Sequence, residues 1–325
     1  MYFWKTSIWA ALLAAAGLHA GAQAQAQTFP SRPVRIVVPF APGGATDALA
    51  RAMAQKMSES WGQPVVVENK PGAAGNIGTE FVARSPADGY TILMAINSHA
   101  INASLYSKLG YDPIKDFQPV SLFAVAPNVL AAHPSLPANT VQELIKLAQA
   151  KPGEISYGSA GSGSGSHLAG ALFANLAGVQ MTHVPYKGVT PAVTDLIGGQ
   201  ISLSFSVYSV VDPHIKAGKL KAIAVTSAKR SLYAPTLPTV AESGLKGFDV
   251  VSWFGLLVPA NTPKDVVAKI HDEVARIAKL PDVKEKFASQ GIDLVGNTPT
   301  EFADFIKQDW AVWDKVIKST GIKME

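Results

Sequence analysis

Along most of the chain, short hydrophobic runs typical of buried strands alternate with longer segments in which hydrophobic residues have helical spacing. Short runs rich in valine and isoleucine, at 34–38 and 65–68, are each followed by a longer segment with helical spacing, at 48–60 and 77–85. Strands that alternate with helices in this way indicate parallel sheets covered by crossover helices. The pattern therefore predicts an α/β fold.

The same pattern continues to the end of the chain. Further strands are predicted at 90–95, 120–126, 155–159, 181–186, 201–206, 222–225 and 251–258. Further helices are predicted at 141–150, 167–176, 191–197, 264–278, 281–290 and 300–319. Thr140 is predicted to cap the first of these helices, with Glu143 in the capping-box position.

The order of these elements predicts two lobes. A polar, turn-rich segment at 111–117 follows the third strand, and the chain is expected to cross between lobes near 120–127 and again near 247–255. Two linking strands can bend while each lobe stays rigid. We expect residues 27–123 and 250–325 to form lobe 1, on which the three C-terminal helices pack, and residues 124–249 to form lobe 2.

Residues 1–26 have the composition of a cleaved signal peptide. Lys5 provides the positive charge, the apolar run 8–18 follows, and small residues lead to cleavage after Ala24 or Ala26. A membrane anchor is the alternative, but the apolar run is shorter than the roughly 20 residues that span a bilayer. The sequence therefore predicts an exported protein.

Composition indicates where the protein is located and which classes of partner it binds. The chain has no cysteine, which leaves neither disulfides nor thiolate metal sites, and with export this favours the periplasm. The chain has 28 Lys and Arg residues and 24 Asp and Glu residues, which gives a formal net charge of +4. The basic residues do not form a continuous run. Nucleic-acid binding is therefore not expected, and the balance is compatible with a small anionic ligand.

Two glycine-rich loops each follow a predicted strand and open a predicted helix. Backbone N–H groups and the positive end of a helix dipole would face the crevice there, which suits an anion. The alternative is that Gly43 and Gly44 only make a tight turn. The candidate binding residues are Pro42, Gly43, Gly44, Ala45, Thr46 and Asp47 in the first loop and Ser159, Gly161, Gly163, Ser164 and Ser166 in the second.

Other candidates follow strand ends. Asn97, Ser98 and His99 end the third strand, on the crevice edge that Gly43 shares. Tyr208 and Trp253 can line a pocket that accepts a ring or chain, although core packing explains Tyr208 equally well and is the commoner explanation for Trp253. Asp47 is expected to be the N-cap of its helix.

Catalytic and cofactor signatures are absent from the sequence. A hydrolase elbow needs glycine two residues on either side of the serine, and neither Ser162 nor Ser164 has them. Gly161-x-Gly163-x-x-Ser166 only approaches a dinucleotide fingerprint, and the histidines show no zinc-ligand spacing. We expect no catalytic residue, metal or cofactor; a periplasmic serine hydrolase is kept as an alternative.

Several ordered motifs resemble one known family. The segments 37–47, 68–75, 87–91, 184–188 and 235–244 resemble those of Bug-type solute-binding proteins, the extracytoplasmic receptors of tripartite tricarboxylate transporters. The resemblance implies a two-lobed type II periplasmic-binding-protein fold, no catalysis, and a carboxylate held by backbone amides of the two loops and by bridging waters. It also implies a membrane permease as partner; a monomer is expected.

Ser206 departs from the pattern of the family. Family members often carry an aspartate after the position of Phe205, which suits a ligand ammonium group, and this chain has Ser206 there. This departure disfavours an amino acid and favours a dicarboxylate, a tricarboxylate or an aromatic carboxylate stacked on Tyr208 or Trp253. Ser206 itself is kept as a candidate ligand-binding residue, as is Tyr208. A ligand sensor for a signalling partner is the alternative to a transport receptor.

Overall fold

A computed structural model of the 325-residue chain describes residues 29–106 and 108–320. The predicted signal peptide lies outside the described residues. The strands are β1 (Val34–Val38), β2 (Val65–Asn69), β3 (Thr91–Ile96), β4 (Phe117–Ala132), β5 (Ser156–Ser159), β6 (Thr182–Pro185), β7 (Leu203–Val207), β8 (Lys221–Val225), β9 (Val251–Pro259) and β10 (Asp293–Leu294).

The helices lie between and after these strands. They are α1 (Ala45–Trp61), α2 (Asn76–Ala83), α3 (Ser98–Leu105), α4 (Val141–Ala150), α5 (Gly165–Ala177), α6 (Val189–Ile197), α7 (Tyr208–Lys216), α8 (Lys264–Lys279), α9 (Pro281–Ala288) and α10 (Pro299–Thr320). In the part of the chain described here, no helix combines the length and the apolarity needed to cross a bilayer.

The strands form two mostly parallel groups joined by two antiparallel strands. The order is β2-β1-β3-β9-β4-β7-β5-β6, with β8 and β10 also paired to β4. β1 pairs in parallel with β2 and β3, and β5 pairs in parallel with β6 and β7. β4 and β9 pair with each other between the groups. This arrangement agrees with the predicted α/β fold of two lobes joined by two crossover strands.

β4 is longer than the sequence pattern predicted. It pairs with β9 as far as Pro127 opposite Val251, and then pairs with β7 from Asn128 opposite Val207 onward. Pro127 lies where β4 changes partner, and a missing N–H is tolerated at such a position because the ladder is interrupted there. The lobe boundaries predicted at 123/124 and 249/250 lie in or beside this strand pair and stay a prediction.

The last helix contacts two hydrophobic cores, one in each lobe. Phe302 and Ile306 pack in the core around Trp253, whereas Trp313 and Ile317 pack in the core that contains Phe205. The expectation that the C-terminal helices pack on lobe 1 alone is therefore wrong for α10. A helix of this length reaches across both lobes because each residue adds about 1.5 Å.

Asp309 lies between the two cores on this helix. Its carboxylate accepts a hydrogen bond from Trp253 Nε1 at 2.8 Å and another from Trp313 Nε1 at 3.1 Å. Burial raises the pKa of Asp309 to about 6, against the lowering effect of these two donors. The two indoles thus share one carboxylate at the junction of the lobes.

Of the two helix N-caps predicted from the sequence, Thr140 is confirmed and Asp47 is wrong. Thr140 caps α4, since its Oγ1 accepts from the Glu143 N–H at 3.1 Å. Asp47 is not the N-cap of α1. That position is Gly44, whose backbone is extended at φ −85° and ψ 173°, so that Asp47 falls in the first turn.

Candidate functional site

A cavity lies between the two lobes, against both crossover strands. It holds about 620 Å³ of empty space, including the part that opens to solvent. The residues that line it are Phe40, Ala41, Gly44, Ala45, Thr46, Ile96, Asn97, Asn128, Ala160, Ser164, Gly165, Ser166, Val189, Phe205, Val207, Ser252 and Phe254. Apolar side chains with a few polar groups among them are the usual lining of a small-molecule site.

The first predicted loop reaches the cavity through Gly44, Ala45 and Thr46, at the start of α1. The first N–H groups of a helix have no acceptor within the helix, so those of Ala45 and Thr46 are available to a ligand. Gly43 precedes them with φ 91°, in the left-handed region that favours glycine. The loop therefore places backbone donors at the cavity, and their role in binding a ligand stays a prediction.

Asp47 fixes the shape of this loop from behind. Its carboxylate accepts from the Gly43 N–H at 3.1 Å, from Arg51 Nε at 2.9 Å and from Asn69 Nδ2 at 3.0 Å. Burial alone would raise the pKa of Asp47, but these hydrogen bonds outweigh burial and hold it below its usual value. Asp47 is thus ionised, and its oxygens are already occupied by donors.

The second predicted loop reaches the cavity through Ser164, Gly165 and Ser166, at the start of α5. Ser164 is the N-cap, and its hydroxyl donates to the Gly161 carbonyl at 2.7 Å. The Ser166 hydroxyl accepts from the Ala160 N–H at 3.0 Å. These bonds stay within the loop, which leaves the first N–H groups of α5 directed at the cavity.

Three more helices begin at the cavity wall. Asn97 is the N-cap of α3, Val189 is the first residue of α6, and Val207 is the N-cap of α7. Each helix start carries a partial positive charge of about +0.5. No Asp, Glu, Lys, Arg or His is among the residues that line the cavity. The positive potential there comes from backbone dipoles, and it favours an anion.

The crossover strands form the floor of the cavity. Ser252 Oγ on β9 donates to Asn128 Oδ1 on β4 at 2.8 Å. Within the described residues Asn128 Nδ2 has no acceptor, so the floor presents one free side-chain donor. Asn97 ties α3 to β9, since its Nδ2 donates to the Val251 carbonyl and its Oδ1 accepts from the Trp253 N–H.

The remaining wall is apolar. It consists of the side chains of Phe40, Ile96, Val189, Phe205, Val207 and Phe254. Apolar surface removed from water contributes roughly 25 cal/mol per Å². The cavity therefore combines backbone donors for an anionic group with a surface for an alkyl or aryl body.

The predicted site residues divide into those that line the cavity and those that support it. Gly44, Ala45, Thr46, Ser164 and Ser166 line it. The other predicted loop residues lie in the same two loops without lining the cavity, and they are Pro42, Gly43, Asp47, Ser159, Gly161 and Gly163.

Four further predicted residues lie outside the lining. His99 Nε2 donates to the Pro113 carbonyl at 2.8 Å, inside the fold, and Ser98 is buried beside it in α3. Ser206 Oγ is bonded to Ser204 Oγ at 2.7 Å. Tyr208 bonds to Asp212, and burial followed by this bond raises its pKa to about 12. The side chains of His99, Ser206 and Tyr208 are hydrogen-bonded within the protein, and that of Ser98 is buried.

Sequence reasoning missed the residues of the floor and most of the apolar wall. Phe40 follows β1 by two residues and Val207 is the last residue of β7, so the rule that ligands bind at strand ends could have found them, as it found Asn97 after β3. Asn128 and Ser252 follow no such rule, because they lie within the crossover strands.

The described side chains do not form a cluster that supports the alternative of a serine hydrolase or a metal site. Among the described residues no group of acidic, histidine or cysteine side chains could hold a metal ion. Ser159 Oγ lies 2.6 Å from His183 Nε2, but Ser159 is 0% exposed, which keeps a substrate from that hydroxyl. The hydroxyl of Ser164 bonds to the Gly161 carbonyl, to Ser166 Oγ and to the backbone N–H of His167, and among the described residues it bonds to no imidazole.

Comparison with known proteins places this geometry among solute receptors. The family described as "Tripartite tricarboxylate transporter family receptor" matches residues 49–322. Protein BugT of Bordetella pertussis is 37% identical over 315 residues, which are 96% of this chain and 96% of that protein. The solved structure of R. palustris Rpa4515 with adipate has a TM-score of 0.87 and 39% identity, covering 91% of this chain and 99% of that one. MatC from Rhodopseudomonas palustris, with bound malate, has a TM-score of 0.86 and 33% identity, covering 89% and 100%.

Proposed function

Because the chain belongs to the tripartite tricarboxylate transporter receptor family, we propose that it is a periplasmic receptor that captures a small carboxylate between its lobes. Membership confirms the resemblance noted in the sequence and the two-lobed type II fold. The observation that carries the proposal is the convergence of helix starts on a cavity without a charged lining side chain. In this proposal the protein binds its ligand and does not transform it.

The carboxylate binds at the starts of α1 and α5. Ala45 and Thr46 donate from lobe 1, and Gly165 and Ser166 donate from lobe 2, all through backbone N–H groups at the cavity wall. The adipate and malate bound by two structural neighbours support a carboxylate as the ligand.

The body of the ligand lies against the apolar wall, and Asn128 Nδ2 donates to a second oxygen of the ligand. This arrangement suits a dicarboxylate, a tricarboxylate or an aromatic carboxylate. An amino acid fits less well, since an ammonium group needs a free carboxylate. Asp47 is occupied by its own donors, and Ser206 is bonded to Ser204.

Ligand binding shifts the protein toward the closed state. Contacts across the cleft already join the lobes, since the Ala41 N–H donates to the Lys187 carbonyl at 3.2 Å and Tyr106 Oη donates to the Ser162 carbonyl at 3.0 Å. A ligand that bonds to both lobes favours the state in which they meet. The closed, loaded protein then delivers the carboxylate to the membrane permease of a tripartite tricarboxylate-type transporter.

A thermal-shift screen tests the proposal. Protein from residue 27 onward is heated with adipate, malate, citrate or benzoate, and with glutamate as the amino-acid comparison. A ligand at about 100 times its dissociation constant adds about 2.7 kcal/mol to the free energy of unfolding. At least one of the four carboxylates should stabilise the protein more than glutamate does. If none of them shifts the transition, the protein is not a receptor for these carboxylates.

A further inference from the structure

The outer side of the second loop rests on a pair of stacked imidazoles. His167 lies in the first turn of α5 and His183 lies in β6, with ring centroids 4.0 Å apart and planes 24° apart. Neither ring lines the ligand cavity. The pair lies behind the loop, and Ala160 and the start of α5 form the cavity side of the same loop.

Each ring is bonded to a different part of the loop. The Gly163 N–H donates to His167 Nδ1 at 3.1 Å. His183 Nε2 lies 2.6 Å from Ser159 Oγ, which in turn accepts from the Gly161 N–H at 3.1 Å. A backbone N–H can donate to a ring nitrogen only if that nitrogen carries no proton. The loop geometry therefore depends on His167 being neutral.

The surroundings of the pair keep it neutral. Tyr157 of β5 packs against His183 with centroids 5.0 Å apart, and among the described residues neither ring forms an ion pair with a carboxylate. Burial lowers the pKa of His167 to about 4, and burial with the neighbouring His167 lowers the pKa of His183 to about 3. Both rings are thus hydrogen-bond partners, and not charges, near pH 7.

The loop needs this anchoring because its backbone is intrinsically permissive. Gly161 has φ 125° and Gly163 has φ 96°, two left-handed conformations within three residues. Glycine reaches such angles freely but also leaves them freely. The imidazole pair fixes both of these glycines. His167 accepts directly from the Gly163 N–H, and His183 acts on the Gly161 N–H through Ser159.

We propose that His167 and His183 are positioning residues that preset the second loop for ligand binding from outside the cavity. They hold the loop in the conformation that directs the Gly165 and Ser166 N–H groups at a carboxylate. Without them the loop must be ordered at the moment of binding, and affinity falls because that ordering opposes binding. This inference rests on the proposed receptor function for its effect on affinity.

The test uses two substitutions at one position. His167→Phe keeps a ring to stack on His183 but removes the acceptor, whereas His167→Asn places an oxygen near the position of Nδ1. Titration calorimetry with adipate, malate, citrate and benzoate is expected to show affinity about tenfold weaker for the Phe variant and within about threefold of wild type for the Asn variant. Equal affinity in the wild type and the Phe variant overturns the proposal, as does equal loss in both variants.

A second readout does not depend on a ligand. Amide hydrogen exchange of residues 160–166 in the ligand-free protein should be about tenfold faster in the Phe variant and restored in the Asn variant. If wild type binds none of the four carboxylates, the receptor function fails, while unchanged exchange would still overturn the role of the histidine pair. If His167→Phe does not fold, His183→Phe against His183→Gln makes the same comparison through Ser159.

Discussion

Substitutions of His99 can show whether this residue contacts the ligand or only stabilises the fold. Its position after β3 predicted a ligand contact, yet it is 3% exposed and its Nε2 donates to the Pro113 carbonyl at 2.8 Å. Nδ1 is buried without a hydrogen-bond partner, and the ring meets Phe117 edge to face at 5.0 Å. A second proton would have to lie on Nδ1, where nothing accepts it.

The pH dependence of stability follows from this burial. Burial lowers the pKa of His99 from 6.5 to about 4, with the Pro113 carbonyl acting in the opposite direction. Between these values the unfolded chain binds a proton that the folded protein does not, so stability falls as pH falls from 6.5 to about 4. At 1.36 kcal/mol per pH unit, this one histidine accounts for about 3 kcal/mol.

Two substitutions measure the effect. His99→Phe removes the titrating group but leaves the Pro113 carbonyl without a donor, at a cost of about 1–3 kcal/mol at every pH. His99→Gln keeps a donor and also does not titrate. Urea unfolding from about pH 8 to pH 4 should therefore show both variants losing less stability than wild type on acidification, with Gln the less destabilised at neutral pH.

Two results would refute this reasoning. One is a difference in unfolding free energy between wild type and His99→Phe that stays constant with pH, since the buried neutral histidine would then not titrate as argued. The other is an affinity for the stabilising carboxylate that falls by more than about threefold in His99→Gln while stability is retained. That second outcome would restore the ligand contact predicted from the sequence.

Three further predictions concern the cavity and one helix start. Gly163→Ala should weaken carboxylate affinity about tenfold in calorimetry, because φ is 96° and the new Cβ would lie 2.7 Å from Asn102 Oδ1 across the cleft. Asn128→Asp should abolish binding at millimolar carboxylate, since it places a second anion at the floor, whereas Asn128→Ala should cost only about tenfold. Thr140→Ala should lower the unfolding free energy by about 1 kcal/mol in urea, by removing the acceptor of the Glu143 N–H, and leave affinity unchanged.

Most secondary structure could be predicted because hydrophobic period and turn residues are local signals. β1 was predicted at 34–38 and is found there, and Thr140 caps α4 as predicted. α3 was not predicted, because the single turn residue Asn97 separates it from β3 and already has helical angles, φ −44° and ψ −36°. The expected polar strand end at Ser98 and His99 is therefore the first turn of a helix.

The polar half of the site could also be predicted, because a helix start after a parallel strand is visible in the sequence. Gly44 and Ser164 follow β1 and β5 closely and precede α1 and α5. Backbone donors at such positions do not depend on which side chains are nearby. The sequence therefore indicated which helix starts reach the cavity, and anion binding by their N–H groups stays a prediction.

The floor of the site could not be predicted, because it depends on the register of two strands that are distant in sequence. Asn128 and Ser252 meet only because β4 and β9 pair, and the pairing is irregular between Pro119 and Ser121 and between Leu122 and Ala124. A shift of one residue in a strand turns each side chain to the opposite face. The same two strands join the lobes, so any ligand group that Asn128 binds is held at the point about which the lobes must bend. Residues of the floor should therefore affect closure and selectivity together, whereas residues of the two loops should affect the affinity for every carboxylate.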